Sequence, residues 1–343
     1  MIDHDTLTGR HSFRPRFLKT LFSGPFVFSD SGWQWWLHGS EAEAAARLMD
    51  SQQQGTSPAR LVMLRDHKGR RAFRLDLEPM PCFAKEVTMT SLRTRLGALL
   101  GRSNVLLRYD HGTAETRHNL FLDSHTSSGV RTLALGEHVR HGLPDRQILI
   151  HEYLSGWQPL GEVWRATDRD DDRQQLAARL EDLLGELYSH RICHLDLNAG
   201  HIMVPEDRSL PMRVIDCGRM CTSVRNPLIA TALHVGKLMR DLGAPEIPER
   251  HVQARNMLRR IAGAAADAPR AQQVLLLACR YRISKRLNKR RLIMNASQKA
   301  IDLATFEARL LTDPRNRPPA PSALQGALPG PGAEKFEQAC PIE

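Results

Sequence analysis

The chain of 343 residues lacks several patterns that would assign it to a familiar class of protein. Its six cysteines have no paired spacing of the kind that holds zinc, and we expect reduced thiols rather than disulfides. No run approaches the roughly 20 apolar residues that cross a bilayer. The first residues, MIDHDTLTGRHSFRPRF, lack the apolar core of a signal peptide. These absences predict a soluble, cytoplasmic protein.

Positive charge is in excess, with 48 Lys and Arg against 38 Asp and Glu. A balance of this kind is typical of proteins that bind nucleic acid, an anionic membrane surface or a phosphorylated substrate. Basic runs lie at 255–260 and 286–291, although solvated helix faces would give the same pattern. Because no zinc-finger spacing and no aromatic-rich RNA-binding sheet accompanies them, we expect no nucleic-acid partner.

Residues 1–57 form an N-terminal extension in this interpretation. Trp33, Trp35 and Trp36 could enter a membrane interface, but the pattern favours a strand that packs against the next domain. The segment 40–54 is alanine-rich and predicts a helix that begins with a capping box.

Residues 58–153 predict a small antiparallel α+β lobe of five strands, with one helix inserted after the third. The predicted strands are LVMLRD (61–66), RAFRLDL (71–77), CFAKEV (82–87), RTLALGEH (131–138) and QILIHEYL (147–154), and the predicted helix covers 113–125.

Residues 154–312 predict a mainly helical lobe. Apolar residues between 173 and 190 repeat at helical spacing. Further helices are predicted at 228–242, 248–264, 270–286 and 297–311. The remainder, 313–343, is rich in proline and glycine, and we expect it to be disordered.

Two aspartates follow one another at the ends of short apolar strands in the helical lobe. Asp196 lies in HLDLNAGHIMV, and Asp216 lies in VIDCG. An aspartate often caps a turn, so either one alone would carry little weight. Their order is more informative, because a lysine on the third strand, an inserted helix and a hinge precede them.

This layout resembles a protein kinase, with its HRD…N and DFG segments. The chain is more closely similar to the bacterial lipopolysaccharide kinase (Kdo/WaaP) family, which phosphorylates sugars of the lipopolysaccharide inner core. The resemblance covers roughly residues 60–245. It rests on RDHKGRRAFRLDL, CFAKE, HGTAETRHNLFLDSHTSSGVRTLALGEH, HLDLNAGHIMV and VIDCG.

The resemblance implies a bilobal protein-kinase-like α+β fold, with an antiparallel-sheet N-lobe and a helical C-lobe. It also implies ATP and Mg²⁺ as cofactors. Lys85 would bind the α and β phosphates, and Glu115 on the inserted helix would hold Lys85 by an ion pair. Glu86 is nearer in sequence, but alternation along a strand points it to the opposite face from Lys85. Asp196 would accept the proton of the acceptor hydroxyl, and Asp216 would bind the metal.

Three departures from the protein-kinase pattern affect the interpretation. The turn DHKGR has one glycine and no G-x-G-x-x-G. The lipopolysaccharide kinases share this departure from the glycine-rich motif. Leu195 replaces the arginine of HRD, so regulation by a phosphorylated activation loop is not expected. His201 replaces the asparagine that is the usual second metal ligand. The heptose-directed members resemble this chain there, and a histidine ligand would suit Mn²⁺ better than Mg²⁺.

We therefore expect a kinase that phosphorylates a sugar, heptose by preference, of the lipopolysaccharide core. Its partners would be ATP, the core acceptor and the anionic cytoplasmic face of the inner membrane. A pseudokinase that binds nucleotide and acts as a scaffold is one alternative, supported by His201 and the missing glycine loop. A kinase acting on protein, or on a small molecule such as an aminoglycoside, is another.

Overall fold

A computed structural model of the chain describes residues 26–28, 32–38, 41–53, 60–67, 69–99, 111–243, 247–283, 307–308, 310–312 and 314–316. It divides into two units. The first is Met1–Trp157 with Arg213–Arg219, and the second is Gln158–Met212 with Met220–Glu343. Antiparallel sheet and many helices occur together, so the predicted α+β class is confirmed.

The first unit contains a seven-stranded sheet in which every neighbouring pair is antiparallel. Its strands are β1 (Phe26–Phe28), β2 (Trp33–Leu37), β3 (Leu61–His67), β4 (Arg70–Leu75), β5 (Cys82–Thr88), β6 (Thr132–Arg140) and β7 (Leu143–Glu152). They lie in the order β1-β2-β6-β7-β5-β4-β3. The helices are α1 (Glu41–Gln53), α2 (Leu92–Leu99) and α3 (His111–His125).

The N-terminal segment differs from its prediction as a separate extension. Strands β1 and β2 belong to the sheet, and β2 pairs with β6. Trp33, Trp35 and Trp36 are all at most 2% exposed, so they pack within this unit and do not offer a membrane surface. Burying each such ring contributes about 2–3 kcal/mol. Gly136 makes room for the Trp35 ring, because an added Cβ would lie 2.5 Å from it.

The two faces of this sheet are covered by different helices. Helix α1 contributes Ala42, Ala45 and Met49 to the larger apolar core. On the other face, Leu120 of α3 packs against a cluster that includes Leu149. Helix α2, which the sequence analysis did not predict, packs near β7.

The second unit is mainly helical. Its helices are α4 (Leu160–Ala166), α5 (Asp170–Ser189), α6 (Pro227–Asp241), α7 (Ile247–Ala262) and α8 (Pro269–Arg280). The short strands β9 (Cys193–His194) and β12 (Met220–Cys221) pair with each other. Two further short strands are β8 (Trp157–Pro159) and β10 (Ile202–Pro205). The short strand β11 (Arg213–Val214) lies in the segment 213–219, which belongs to the first unit.

Most helices of this unit follow the predicted ranges within a few residues. Two helices inside the described chain differ: α4 was not predicted, and α8 ends at Arg280 rather than 286. Helix α6 packs closely on α8 at Gly236, where an added Cβ would lie 2.6 Å from the Cβ of Ala278. The predicted helix 297–311 and the tail 313–343 lie largely outside the described residues. No described helix is long and apolar enough to span a bilayer.

Candidate functional site

Lys85 lies at the centre of a charged group in the first unit. Its Nζ is 3.1 Å from Glu115 Oε2 and 2.9 Å from Asp216 Oδ1. Three of the five residues singled out from the sequence are therefore in direct contact. Their roles toward a nucleotide stay a prediction.

The strand register explains why Lys85 contacts Glu115 rather than the adjacent Glu86. Lys85 pairs with Leu149, whose side chain packs on the α3 face, whereas Glu86 pairs with Ile148, whose side chain belongs to the core on the other face. Glu86 is fully buried there and accepts a hydrogen bond of 2.8 Å from Arg71. Alternation along the strand thus separates the two carboxylates.

Asp216 is held in an unusual backbone conformation. Its φ is +55°, in the left-handed region that non-glycine residues enter at a cost of about 1 kcal/mol or more. The following residue, Cys217, begins a short 3-10 helix, and its carbonyl oxygen accepts a hydrogen bond of 2.7 Å from His118 Nδ1 of α3. Helix α3 therefore contacts both Lys85 and the turn that carries Asp216.

The electrostatic balance keeps Lys85 charged. Burial alone would lower the pKa of Lys85, but Glu115 and Asp216 outweigh it and raise that pKa above its ordinary value. Burial raises the pKa of Glu115, against the opposing effect of Lys85. The Lys85 and Glu115 side chains are 15% and 7% exposed, so this ion pair is shielded from bulk water.

His151 is a buried polar residue near Lys85 that was not predicted from the sequence. His151 Nδ1 lies 3.2 Å from Thr132 Oγ1 and 3.5 Å from Asn119 Nδ2. Burial, followed by the charge of Lys85, lowers the pKa of His151 to about 3, so its imidazole is neutral at pH 7. The sequence QILIHEYL gives no signal of this beyond a histidine that follows three apolar residues.

The loop that contains Asp196 and His201 belongs to the second unit. Asn198, which the sequence analysis did not single out, organises this loop. Its Nδ2 donates to the Asp196 carbonyl oxygen at 3.0 Å, and its Oδ1 accepts from Gly200 N–H at 2.8 Å. The spacing Asp-x-Asn at a strand end is the signal that could have identified it.

His201 takes part in the same loop contacts through one ring nitrogen. Its Nδ1 lies 3.1 Å from the Asp196 carbonyl oxygen and 3.2 Å from Asn198 Nδ2. In the tautomer protonated at Nδ1, Nε2 is the basic nitrogen, which is the nitrogen that a metal would bind. The Asp196 N–H donates to His194 Nδ1 at 3.2 Å, which fixes the start of the loop.

Asp216 and His201 are the residues predicted to bind a metal. Within the described residues, no group of three or more His, Cys, Asp and Glu is arranged to hold an ion. Asp216 still fits Mg²⁺, because a carboxylate oxygen is the hard ligand that this ion prefers. A magnesium ion of this kind usually takes its remaining ligands from phosphates and water.

The basic run 255–260 is largely neutralised by neighbouring carboxylates. Arg255 and Arg259 both contact Asp267, and Arg260 contacts Glu181 through two hydrogen bonds. This run is therefore a paired helix surface. The other basic run, 286–291, lies outside the described residues.

Comparison with known proteins gives one family match. Residues 106–254 match the model of the lipopolysaccharide kinase (Kdo/WaaP) family, which confirms the resemblance inferred from the sequence. A solved structure described as WaaP in complex with acyl carrier protein is similar at 14% identity and a TM-score of 0.38, covering 79% of this chain and 90% of that chain. No curated protein matches the sequence.

Proposed function

We propose, because residues 106–254 match the lipopolysaccharide kinase family, that this chain transfers the γ-phosphoryl group of ATP to a sugar hydroxyl of the lipopolysaccharide inner core. The family match supports a phosphotransferase that uses ATP. The observation that carries the proposal furthest is the contact of Lys85 Nζ with both Glu115 and Asp216, at 3.1 and 2.9 Å.

Phosphoryl transfer requires positive charge beside the phosphate oxygens and an aligned acceptor. Lys85 would supply the first, since its ammonium is charged and its direction is fixed by Glu115. Asp216 would hold a divalent cation, Mg²⁺ or Mn²⁺, which supplies charge neutralisation at the phosphates when it is bound. The family pattern would make His201 its second ligand.

Asp196 would act on the acceptor hydroxyl. A carboxylate placed as a general base contributes about 10²–10⁴ in rate. The backbone contacts that His194 and Asn198 make with Asp196 would hold the loop in place. Such support matters because a small displacement of a general base costs much of its effect.

We further propose heptose as the acceptor sugar, from the histidine at position 201. The acceptor would be presented at the anionic cytoplasmic face of the inner membrane, where each nearby Lys or Arg is worth about 1 kcal/mol. The net charge of +10 supports binding there as a peripheral protein.

The proposal is tested with purified protein, ATP, Mg²⁺ or Mn²⁺, and core oligosaccharide from a strain that lacks the gene. We expect mass spectrometry to find one added phosphate, and fragmentation to assign it to heptose. Asp196→Ala should abolish the product and keep ATP affinity. Asp182→Ala, the same change at an exposed position of α5, should behave as wild type.

Other outcomes would favour the alternatives. Nucleotide binding without turnover on any core acceptor would indicate a pseudokinase scaffold. If the added phosphate is found on Kdo, the proposal of a core kinase stands and the heptose assignment is wrong. Transfer to protein or to an aminoglycoside, with none to the core, would reject lipopolysaccharide as the substrate.

A further inference from the structure

The turn between β3 and β4 cannot cover phosphates as a glycine-rich loop does. Such loops offer several backbone N–H groups to the phosphate oxygens. This turn has a single glycine, Gly69, with φ at +75°. If the chain binds ATP, another group must supply contacts at this position.

Arg70, the residue after Gly69, begins β4 on the same face of the sheet as Lys85. Ala72 is the cross-strand partner of Lys85, and Arg70 is the partner of Val87. Side chains two residues apart on a strand share a face and are separated by about 7 Å. Arg70 therefore lies beside the Lys85 position, at the turn end of the strand.

The positive charge of Arg70 acts on Glu115, which is one of the two carboxylates that contact Lys85. Burial raises the pKa of Glu115, and Arg70 is among the cations that oppose this rise. Lys85 is already matched by two carboxylates, Glu115 and Asp216, so these three residues would together carry one negative charge when ionised. A nucleotide triphosphate approaching them needs further positive charge.

Among the described residues, the contacts of Arg70 leave its guanidinium able to bind a ligand. It is exposed, and across the described part of the chain its side chain makes no hydrogen bond or ion pair. The neighbouring Arg71 contrasts with it, because Arg71 is bound to the buried Glu86 on the opposite face. A planar guanidinium is well suited to bind phosphate oxygens through two parallel hydrogen bonds.

We propose that Arg70 binds the phosphate oxygens of the nucleotide, replacing with one side chain the backbone contacts of a glycine-rich loop. This inference rests on the proposed function, since it presupposes a nucleotide beside Lys85. It assigns the sequence departure at DHKGR a chemical role: the turn carries a cation in place of the missing glycines.

The test compares binding of ATP and of adenosine by calorimetry in wild type, Arg70→Gln, Arg70→Lys and Arg140→Gln. Arg140 is the matched control, because it is also an exposed arginine beside a hairpin turn of the same sheet. That turn is six residues along β7 from the partner of Lys85, about 20 Å away. Thermal unfolding of each variant checks that the fold is kept.

We expect Arg70→Gln to weaken ATP binding about tenfold, as loss of a charge-assisted contact predicts. Adenosine binding should be unchanged, Arg70→Lys intermediate, and Arg140→Gln equal to wild type. Equal ATP affinity in Arg70→Gln and wild type, or equal losses in Arg70→Gln and Arg140→Gln, would overturn the assignment of Arg70 alone. A wild-type protein that binds neither ATP nor adenosine would overturn the proposed function, and this inference with it.

Discussion

Nδ1 of His118 donates a hydrogen bond to the carbonyl oxygen of Cys217, 2.7 Å away. A carbonyl oxygen only accepts, so Nδ1 carries a proton. Burial is the main cause that lowers the pKa of His118, so the ring is neutral at pH 7 and its tautomer is defined. This bond joins α3 to the residue after Asp216, whose left-handed backbone needs support from its surroundings.

Replacing His118 should therefore disturb Asp216 without touching a nucleotide. We expect His118→Phe to weaken Mg²⁺-dependent ATP binding by about threefold to tenfold, the usual effect of losing one hydrogen bond. ATP binding without metal should change little. His118→Asn offers an N–H near the position of Nδ1 and should restore most of the affinity. Wild-type affinity in His118→Phe would show that the Asp216 turn is held by other contacts.

Lys85 and Glu115 should act as a coupled pair. Lys85→Met removes the cation from both Glu115 and Asp216, so we expect it to be the more damaging single change in kcat/KM for ATP. The double variant Lys85→Met with Glu115→Gln should lose little beyond Lys85→Met alone. The reason is that each change breaks the same Lys85–Glu115 ion pair. Additive losses in this cycle would mean that Glu115 acts independently of Lys85.

Asp216→Asn separates charge from conformation at the proposed metal site. Asparagine tolerates left-handed backbone, so the turn should persist while the negative charge is lost. We expect a titration with Mg²⁺ to show ATP binding weakened about tenfold or more, and a titration without metal to show little change. Matching curves for variant and wild type in both titrations would mean that Asp216 has a structural role only.

Local patterns predicted the α+β class, most helices and the choice of Glu115 over Glu86, because strand alternation and helical spacing are properties of short segments. The sequence did not show that β2 belongs to the sheet. Trp35 pairs with Gly136, about a hundred residues away, and no local pattern encodes that partner. His118 and His151 were missed for the same reason, since their contacts are long-range. Helix α2 was missed because its Leu92 and Leu96 are exposed and form no clear apolar face.

His151 should make folding stability sensitive to acid. The pKa of His151 in the folded chain is about 3, mainly through burial, against about 6.5 for an unperturbed imidazole. Between these pH values the unfolded chain binds a proton that the folded chain does not. Stability should therefore fall as pH decreases below about 6.5, by up to about 1.4 kcal/mol per pH unit from this residue.

Denaturant unfolding at several pH values measures this contribution. His151→Asn keeps a hydrogen-bond acceptor near Thr132 and does not titrate, so its free energy of unfolding should depend less on pH between about 6.5 and 4. Met63→Asn, at an exposed position of β3, removes no titrating group and should keep the wild-type slope. An unchanged slope in His151→Asn would show that the imidazole is protonated within the fold.

His201 has two candidate roles, and metal preference separates them. As a ligand, its imidazole should favour Mn²⁺ over Mg²⁺ relative to an oxygen donor. His201→Asn provides an amide oxygen, so the ratio of kcat/KM with Mn²⁺ to that with Mg²⁺ should fall, and His201→Ala should lose activity with both metals. As a loop residue, His201 contacts the Asp196 carbonyl oxygen, and its loss should lower the free energy of unfolding by about 1 kcal/mol. A His201→Ala variant with wild-type activity and metal preference, but lower stability, would assign His201 to the loop alone and leave Asp216 as the sole protein ligand of the proposed metal.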